Sequence, residues 1–96
     1  QVEKALAAET VQANTYYNAA SFYYDFDKDN NNALVNITKA VEGNKEAYWM
    51  LLLKARIEKA LGDKVSAKAS AQKCIDIATG KNADYVTFAN ELIKSL

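Results

Sequence analysis

The sequence predicts an all-α protein made of antiparallel helix-turn-helix units. Apolar residues recur at intervals of three and four along most of the chain, and no segment between turn signals alternates as a strand would. All three glycines are followed within two residues by Asn or Asp, and proline is absent. Glycine commonly ends one helix and Asn or Asp caps the next, so this pattern indicates repeated units of helix, short turn and helix.

The apolar stripes and the turn signals locate the helices. We expect an opening turn near residues 2–9, as a fragment of a longer helix, and five helices, at about 14–26, 31–42, 45–61, 64–79 and from 83 onward. The turns between the later helices are expected at Gly43-Asn44, Gly62-Asp63 and Gly80-Lys81-Asn82. The last helix is strongly amphipathic, which is typical of the cap of a helical stack. Residues 1–96 are therefore expected to form a single helical domain.

Two stretches of the chain match one another at a spacing of 34 residues. The matched pairs are Asp29 and Asp63, Ala33 and Ala67, Ile37 and Ala71, Lys39 and Lys73, Ala40 and Cys74, and Val41 and Ile75. A period of 34 with small residues at these offsets resembles the tetratricopeptide (TPR) repeat, in which small side chains let two helices pack closely. The resemblance implies a TPR-like stack of antiparallel helix-turn-helix units with a C-terminal capping helix.

A second resemblance extends over nearly the whole chain. It rests on the run from Tyr16 to Tyr24, on Ala33-Leu34, Tyr48-Trp49, Leu53-Lys54-Ala55 and Gly62-Asp63, and on the run from Asn82 to Val86. These segments resemble the C-terminal helical part of an uncharacterised bacterial family whose members are typically exported and carry a β-rich domain ahead of the helices. The resemblance implies that the chain is the C-terminal fragment of a longer protein and lies outside the cytoplasm, in the periplasm or beyond. It implies no known activity.

Charge and hydropathy argue against two classes of partner. Lysine plus arginine equals aspartate plus glutamate, at 12 each, so the chain has no overall basic field that could hold a nucleic-acid backbone. The longest run of apolar side chains larger than alanine is six residues, from Tyr48 to Leu53, whereas about 20 apolar residues are needed to span a bilayer. We expect neither nucleic-acid binding nor membrane insertion.

The residue types also argue against catalysis. Histidine is absent and Cys74 is the only cysteine, which excludes His-based triads and thiolate metal clusters. The glycines stand too far apart for a phosphate-binding loop. We therefore expect no enzyme activity, no catalytic residue, no cofactor and no metal.

One acidic segment raises the alternative of calcium binding. Asp25, Asp27 and Asp29 alternate as the first ligands of an EF-hand loop do. Such a loop needs glycine at its sixth position and a bidentate acid at its twelfth, where this chain has Asn30 and Asn36. A solvated turn in which Asp and Asn cap the next helix is the favoured interpretation.

A dense aromatic cluster supplies the candidate binding surface. It comprises Tyr16, Tyr17, Phe22, Tyr23, Tyr24 and Phe26, and on a helix these side chains span more than one face. We expect Tyr16 and Tyr23 to pack on the preceding helix or on an adjoining domain. The functional alternative is a concave groove that binds an extended or helical peptide. Its candidate partner-binding residues are Asn18, Phe22, Asp25, Met50, Lys54 and Glu58.

Two functional hypotheses follow from the sequence. The first is a non-catalytic TPR-like module that mediates protein–protein or interdomain contacts, with a protein, a peptide or an upstream domain of the same chain as partner. The alternative is a purely structural or oligomerising appendage of a larger exported protein. Calcium binding at residues 25–29 is a third, weaker alternative.

Overall fold

The computed structural model describes the backbone of residues 2–96 and the side chains of residues 12–96. Over this range the chain forms five α-helices and no strand, which confirms the predicted all-α class. The elements are α1 (Val2–Phe22), a π-helical turn (Tyr23–Asp27), α2 (Asn30–Gly43), α3 (Tyr48–Ala60), α4 (Lys64–Ala78) and α5 (Ala83–Lys94). The segment near 2–9 is part of a longer helix, as expected, and it is continuous with the predicted helix at 14–26: both lie in α1 and the π turn that follows it.

Side-chain caps begin three of the helices where the sequence predicted them. Asp29 and Asp63, 34 residues apart, each accept a hydrogen bond from the backbone N–H three residues further on, at 3.2 and 3.1 Å. Asn82 accepts from the backbone N–H of Asp84 at 3.1 Å and begins α5. A cap of this kind contributes about 1 kcal/mol because it satisfies an amide that has no partner inside the helix.

The turn predicted at Gly43-Asn44 was wrong in its details. Helix α2 ends at Gly43, and Asn44 is its C-terminal cap residue. The Asn44 side chain does not cap the helix that follows. The next helix, α3, starts only after Ala47, which provides no side-chain cap. Of the three glycines, Gly62 and Gly80 adopt the expected left-handed backbone, with φ of 84° and 83°.

The helices pack into two hydrophobic clusters that share α3. The first joins α1, α2 and α3, and its largest fully buried side chains are Ile37, Met50 and Ile57. The second joins α3, α4 and α5 around Leu51, Leu52 and the smaller residues of α4. One stripe of α3 therefore faces α1 and α2 while another faces α4 and α5.

Five of the six pairs that match at a spacing of 34 have the same burial, and only in the aspartate pair is one residue half-buried and the other exposed. Ala33 and Ala67, Ile37 and Ala71, and Ala40 and Cys74 are all fully buried. The lysines of the matched pair are exposed in both stretches, and Val41 and Ile75 are half-buried in both. Helices α2 and α4 thus bury the same face of their repeated sequence, each against the helix that precedes it.

Tyr16 of α1 and Tyr23 of the π turn lie closer to the core than expected. Tyr16 and Tyr23 both pack against the first cluster, and the ammonium group of Lys39 on α2 lies 5.4 Å from the centre of the Tyr16 ring. These two tyrosines therefore pack on the first cluster and not on a separate preceding helix, while contact with an adjoining domain stays a prediction. Their position follows from α2 lying along α1, which covers that side of the helix.

Candidate functional site

Helices α1, α3 and α5 form a groove on one face of the molecule, which we call the aromatic groove. Two adjoining cavities of about 190 and 360 Å³ make up this groove, and they share Tyr24, Arg56 and Phe88. The first cavity is also lined by Tyr17, Ser21, Asp25, Trp49, Leu52, Leu53 and Tyr85. The second is also lined by Lys59, Glu91, Leu92 and Ser95.

Helical spacing brings these side chains onto one face. Tyr17 and Ser21 lie four residues apart on α1, and the π turn that follows adds Tyr24 and Asp25. From α3 come residues spaced by three or four between positions 49 and 59. Residues at this spacing stand above one another on a helix, so each of the three helices presents a continuous strip to the groove.

The π turn ends in an unusual backbone conformation. Both Lys28 and Asp29 donate their backbone N–H to the carbonyl of Tyr23, the bond from Asp29 being 3.0 Å long. Lys28 has φ 56° and is the one non-glycine residue with left-handed backbone in residues 2–96. This geometry closes the wide turn that carries Tyr24 and Asp25, and π turns of this kind recur at functional sites.

The charges in the aromatic groove are largely unpaired. Neither Arg56, Asp25 nor Glu91 forms an ion pair in the described part of the chain. Lys59 donates a hydrogen bond to the Ser95 hydroxyl at 2.8 Å. A groove with aromatic walls and free charges can contact both apolar and charged parts of a ligand.

The pKa of the Tyr17 hydroxyl depends on several of these groups. Burial raises the pKa of the Tyr17 hydroxyl above its ordinary value, and nearby Tyr85 raises it further. The positive charge of Arg56 lowers this pKa and the negative charge of Asp25 raises it, each more weakly than burial. The Tyr17 side chain therefore lies within electrostatic range of groups from the π turn, α3 and α5.

A second and larger groove runs between α2 and α4 above α3, and we call it the α2–α4 groove. Its two adjoining cavities of about 500 and 390 Å³ share Val41, Leu51, Lys73 and Asp76. Most of the remaining lining comes from α4. By volume alone it would be the first candidate for a binding site.

The polar groups at the floor of the α2–α4 groove satisfy one another. The Lys54 ammonium donates to Glu58 Oε2 at 2.8 Å, and the Ser70 hydroxyl donates to Glu58 Oε1 at 2.6 Å. Lys54 Nζ also lies 3.4 Å from Ser70 Oγ. Glu58 is only 4% exposed, so its charge is compensated from within the fold. This arrangement links α3 to α4 and leaves no unpaired charge at the floor to select a ligand.

The six residues predicted to bind a partner do not form one surface. Asp25 lines the aromatic groove, whereas Lys54 and Glu58 line the α2–α4 groove. Asn18 and Phe22 are exposed on α1 and line neither groove. Met50 cannot bind a partner as predicted, because its side chain is fully buried in the first cluster.

The prediction missed the groove by one helical position. Asn18 and Met50 each directly follow a groove residue, Tyr17 or Trp49, and one residue turns a helix by about 100°. The sequence contained a usable signal, because Tyr17 and Trp49 are large aromatic residues within the predicted helices. Arg56 carried no such signal, since the rings around it come from three different helices.

The alternating aspartates of residues 25–29 do not converge. Asp29 uses both carboxylate oxygens as acceptors for Asn32, one from the backbone N–H and one from the side-chain amide at 2.7 Å. Within the described residues, no group of three or more Asp, Glu, His or Cys side chains is arranged to hold a metal ion. Asp29 therefore acts as the cap of α2.

The lone cysteine is a packing residue in this fold. Cys74 is fully buried in the second cluster, and burial raises the pKa of its thiol. A buried thiol with a raised pKa holds little of the reactive thiolate at neutral pH.

An exposed aromatic pair lies at the end of α1, and we call it the phenylalanine pair. Phe22 is 51% exposed and Phe26 is 75% exposed, and their ring centres are 5.6 Å apart. Phe22 also contacts Tyr23 edge-on. Two adjacent exposed rings on the surface of a small domain favour contact with another macromolecule.

Comparison with known proteins adds no relative from which a function could be transferred. The chain matches no protein-family model, no curated protein sequence and no solved structure. None of the helices described for residues 2–96 combines the length and the hydropathy required to cross a membrane.

Proposed function

We propose that this chain is a non-catalytic TPR-like module that binds a protein partner through the aromatic groove. The duplicated features of α2 and α4 support the TPR-like assignment. Both helices begin with an Asp cap, at Asp29 and Asp63, and both bury small residues at matched positions. In helical repeats of this kind, successive hairpins expose a continuous surface that suits an elongated ligand.

The composition of the aromatic groove is the observation that carries the binding proposal. Five rings line it together with the unpaired Arg56, and Tyr, Trp and Arg are the residues that dominate binding energy at protein interfaces. The α2–α4 groove is larger, but its buried charges are already satisfied by hydrogen bonds. Composition favours the smaller groove over the larger one.

The polar cluster of the α2–α4 groove fits a structural role better than a catalytic one. The Ser70 hydroxyl and the Lys54 ammonium both donate to the Glu58 carboxylate, and the ion pair with Lys54 compensates the negative charge that Glu58 would need to act as a strong base toward Ser70. Ser70 also lies within α4, where the backbone N–H groups are used by the helix and cannot form an oxyanion hole.

The binding proposal can be tested with peptides selected against the purified chain from a random display library. Trp49 is the only tryptophan and lines the aromatic groove, so its fluorescence reports occupancy directly. We expect the Tyr24→Ala, Phe88→Ala double variant to weaken binding of selected peptides by at least about tenfold, because each ring lines both cavities.

Val65→Ala is the matched control for this experiment. Val65 is 83% exposed on α4 and lines neither groove, so its removal should leave peptide affinity unchanged. Melting curves of both variants establish that the fold is retained. Selected peptides that bind the double variant as tightly as the parent chain would overturn the assignment of the groove.

The phenylalanine pair favours a second candidate function, that of an oligomerising or docking appendage of a larger exported protein. If these rings mediate self-association, sedimentation velocity at rising concentration will reveal dimers of the parent chain. A Phe22→Asp, Phe26→Asp variant would then remain monomeric, because a buried contact would have to desolvate two carboxylates. A parent chain that stays monomeric at millimolar concentration excludes self-association.

A further inference from the structure

We infer that the aromatic groove, if it is the binding surface proposed above, selects a peptide segment with an acidic residue at its centre and basic residues towards its ends. The inference rests on the order of charges along the groove. Asp25 lines only the first cavity, Glu91 lines only the second, and Arg56 lines both. The groove thus runs from a negative charge through a positive charge to a second negative charge.

Arg56 is the central recognition group. Its planar guanidinium can donate two parallel hydrogen bonds to one carboxylate, and it lies at the junction of the two cavities without an ion pair in the described chain. The rings of Tyr24 and Phe88 line both cavities beside it. A carboxylate that lies between these rings would be partly shielded from water, which strengthens its pairing with the guanidinium.

Lys59 adds to the positive charge of the centre. Its ammonium uses one donor on the Ser95 hydroxyl and keeps two for a ligand. Because it lines the second cavity together with Arg56, both cations can contact the same acidic residue. Apolar neighbours of that residue would contact the aromatic walls, which are the remaining feature of the groove.

The acids at the two ends complete the pattern and disfavour polyanions. Asp25 and Glu91 have no partner among the described side chains, and a lysine or arginine of the ligand could pair with each. A nucleic-acid backbone would bring phosphates against both carboxylates, and like charges in contact are destabilising. The charge order therefore favours a peptide of mixed charge as the occupant.

Two synthetic peptides with blocked ends test this inference. One carries a glutamate between two phenylalanines with a lysine at each end, and the other has the same length with glutamates at the ends and a lysine at the centre. With Trp49 fluorescence as the readout, we expect the first peptide to bind at least about tenfold more tightly than the second, and added salt to reduce the difference.

Arg56→Glu should reduce this preference at least several-fold, since it replaces the central cation with an anion while Asp25 and Glu91 still favour the basic ends of the first peptide. Lys68→Glu is the matched control, because it makes the same charge change at an exposed position of α4 that lines neither groove. Arg56→Gln, which only removes the charge, should reduce the preference by less than Arg56→Glu does, because Lys59 still lines the second cavity. Thermal melts establish that each variant is folded.

The outcomes separate this inference from the proposed function. Equal binding of the two peptides, or equal effects of Arg56→Glu and Lys68→Glu, would overturn the charge pattern. If neither synthetic peptide binds while library-selected peptides still depend on Tyr24 and Phe88, the charge pattern is wrong and the binding groove stands. If no peptide depends on those two rings, the proposed function itself fails.

Discussion

At the scale of single residues, the Glu58 carboxylate is a buried charged group on which two other polar side chains depend. Its side chain is 5% exposed and holds both the Lys54 ammonium and the Ser70 hydroxyl. Removing one partner of such a cluster leaves the others without compensation, which costs more than the cluster contributes when intact. The cluster therefore constrains how α3 and α4 fit together.

Glu58→Ala should lower the free energy of unfolding by about 2–4 kcal/mol, because it leaves a partly buried ammonium unpaired. The triple variant Lys54→Met, Glu58→Leu, Ser70→Ala should lie within about 1 kcal/mol of the parent chain, since apolar residues then replace the whole cluster. Urea unfolding followed by circular dichroism measures both. A triple variant less stable than Glu58→Ala would show that the cluster contributes net stability.

A single residue also sets part of the acid sensitivity. The hydrogen bonds from Ser66 hold the pKa of the Asp63 carboxyl below its ordinary value. A depressed native pKa stabilises the fold above the unfolded pKa of about 4, and this stability is lost as pH falls through the native value. Asp63→Asn should therefore make the unfolding free energy less dependent on pH below about 4. Equal pH profiles for the two chains in urea unfolding would contradict this role.

At the scale of elements, the ends of helices reveal what local sequence can specify. The caps at Asp29, Asp63 and Asn82 were predictable because a side chain and its partner lie within three residues of each other. The π turn was not predictable, since Lys28 supplies the left-handed residue without a glycine to signal it. The start of α3 was also missed, because Ala47 begins that helix without a side-chain cap.

The glycine and the non-glycine left-handed positions should differ in how much a substitution changes stability. Gly62→Ala should cost about 1 kcal/mol, because a methyl group there meets no atom within 4 Å and only the backbone is strained. Lys28→Gly should change stability by less than about 1 kcal/mol in either direction, since relief of strain offsets the greater freedom of the unfolded chain. Thermal melts of both variants test this. A Gly62→Ala variant as stable as the parent chain would contradict the strained backbone.

The composition of the candidate site was only partly accessible from sequence. Tyr17 and Trp49 stand out in the sequence as large aromatic residues, but a sequence alone does not reveal whether such rings face the core or a groove. Met50 illustrates the difficulty, because α3 buries residues on nearly every side and its apolar stripe has no clear outer face. The position of Arg56 in the groove is evident only from the structure, because the side chains around it come from α1, α3 and α5.

At the scale of the whole molecule, α3 determines how the two halves cooperate. Met50, Leu53 and Ile57 belong to the first cluster, while Leu51, Leu52 and Ala55 belong to the second. Because neighbouring residues of one helix serve both clusters, neither cluster can lose its packing without disturbing α3. The two clusters should therefore lose their packing together, in a single unfolding transition.

Enlarging a matched alanine in either half tests this coupling. Ala33→Leu and Ala67→Leu each introduce a large side chain at a fully buried position, and each should lower the free energy of unfolding by about 1–3 kcal/mol. Trp49 packs on the first cluster, so its fluorescence reports that half, whereas circular dichroism follows all helices. We expect the two signals to change at the same urea concentration in both variants, including Ala67→Leu, where the substitution lies in the second cluster. In that variant, a loss of helix that precedes the change in Trp49 fluorescence would show that the second half unfolds alone and that α3 does not couple the clusters.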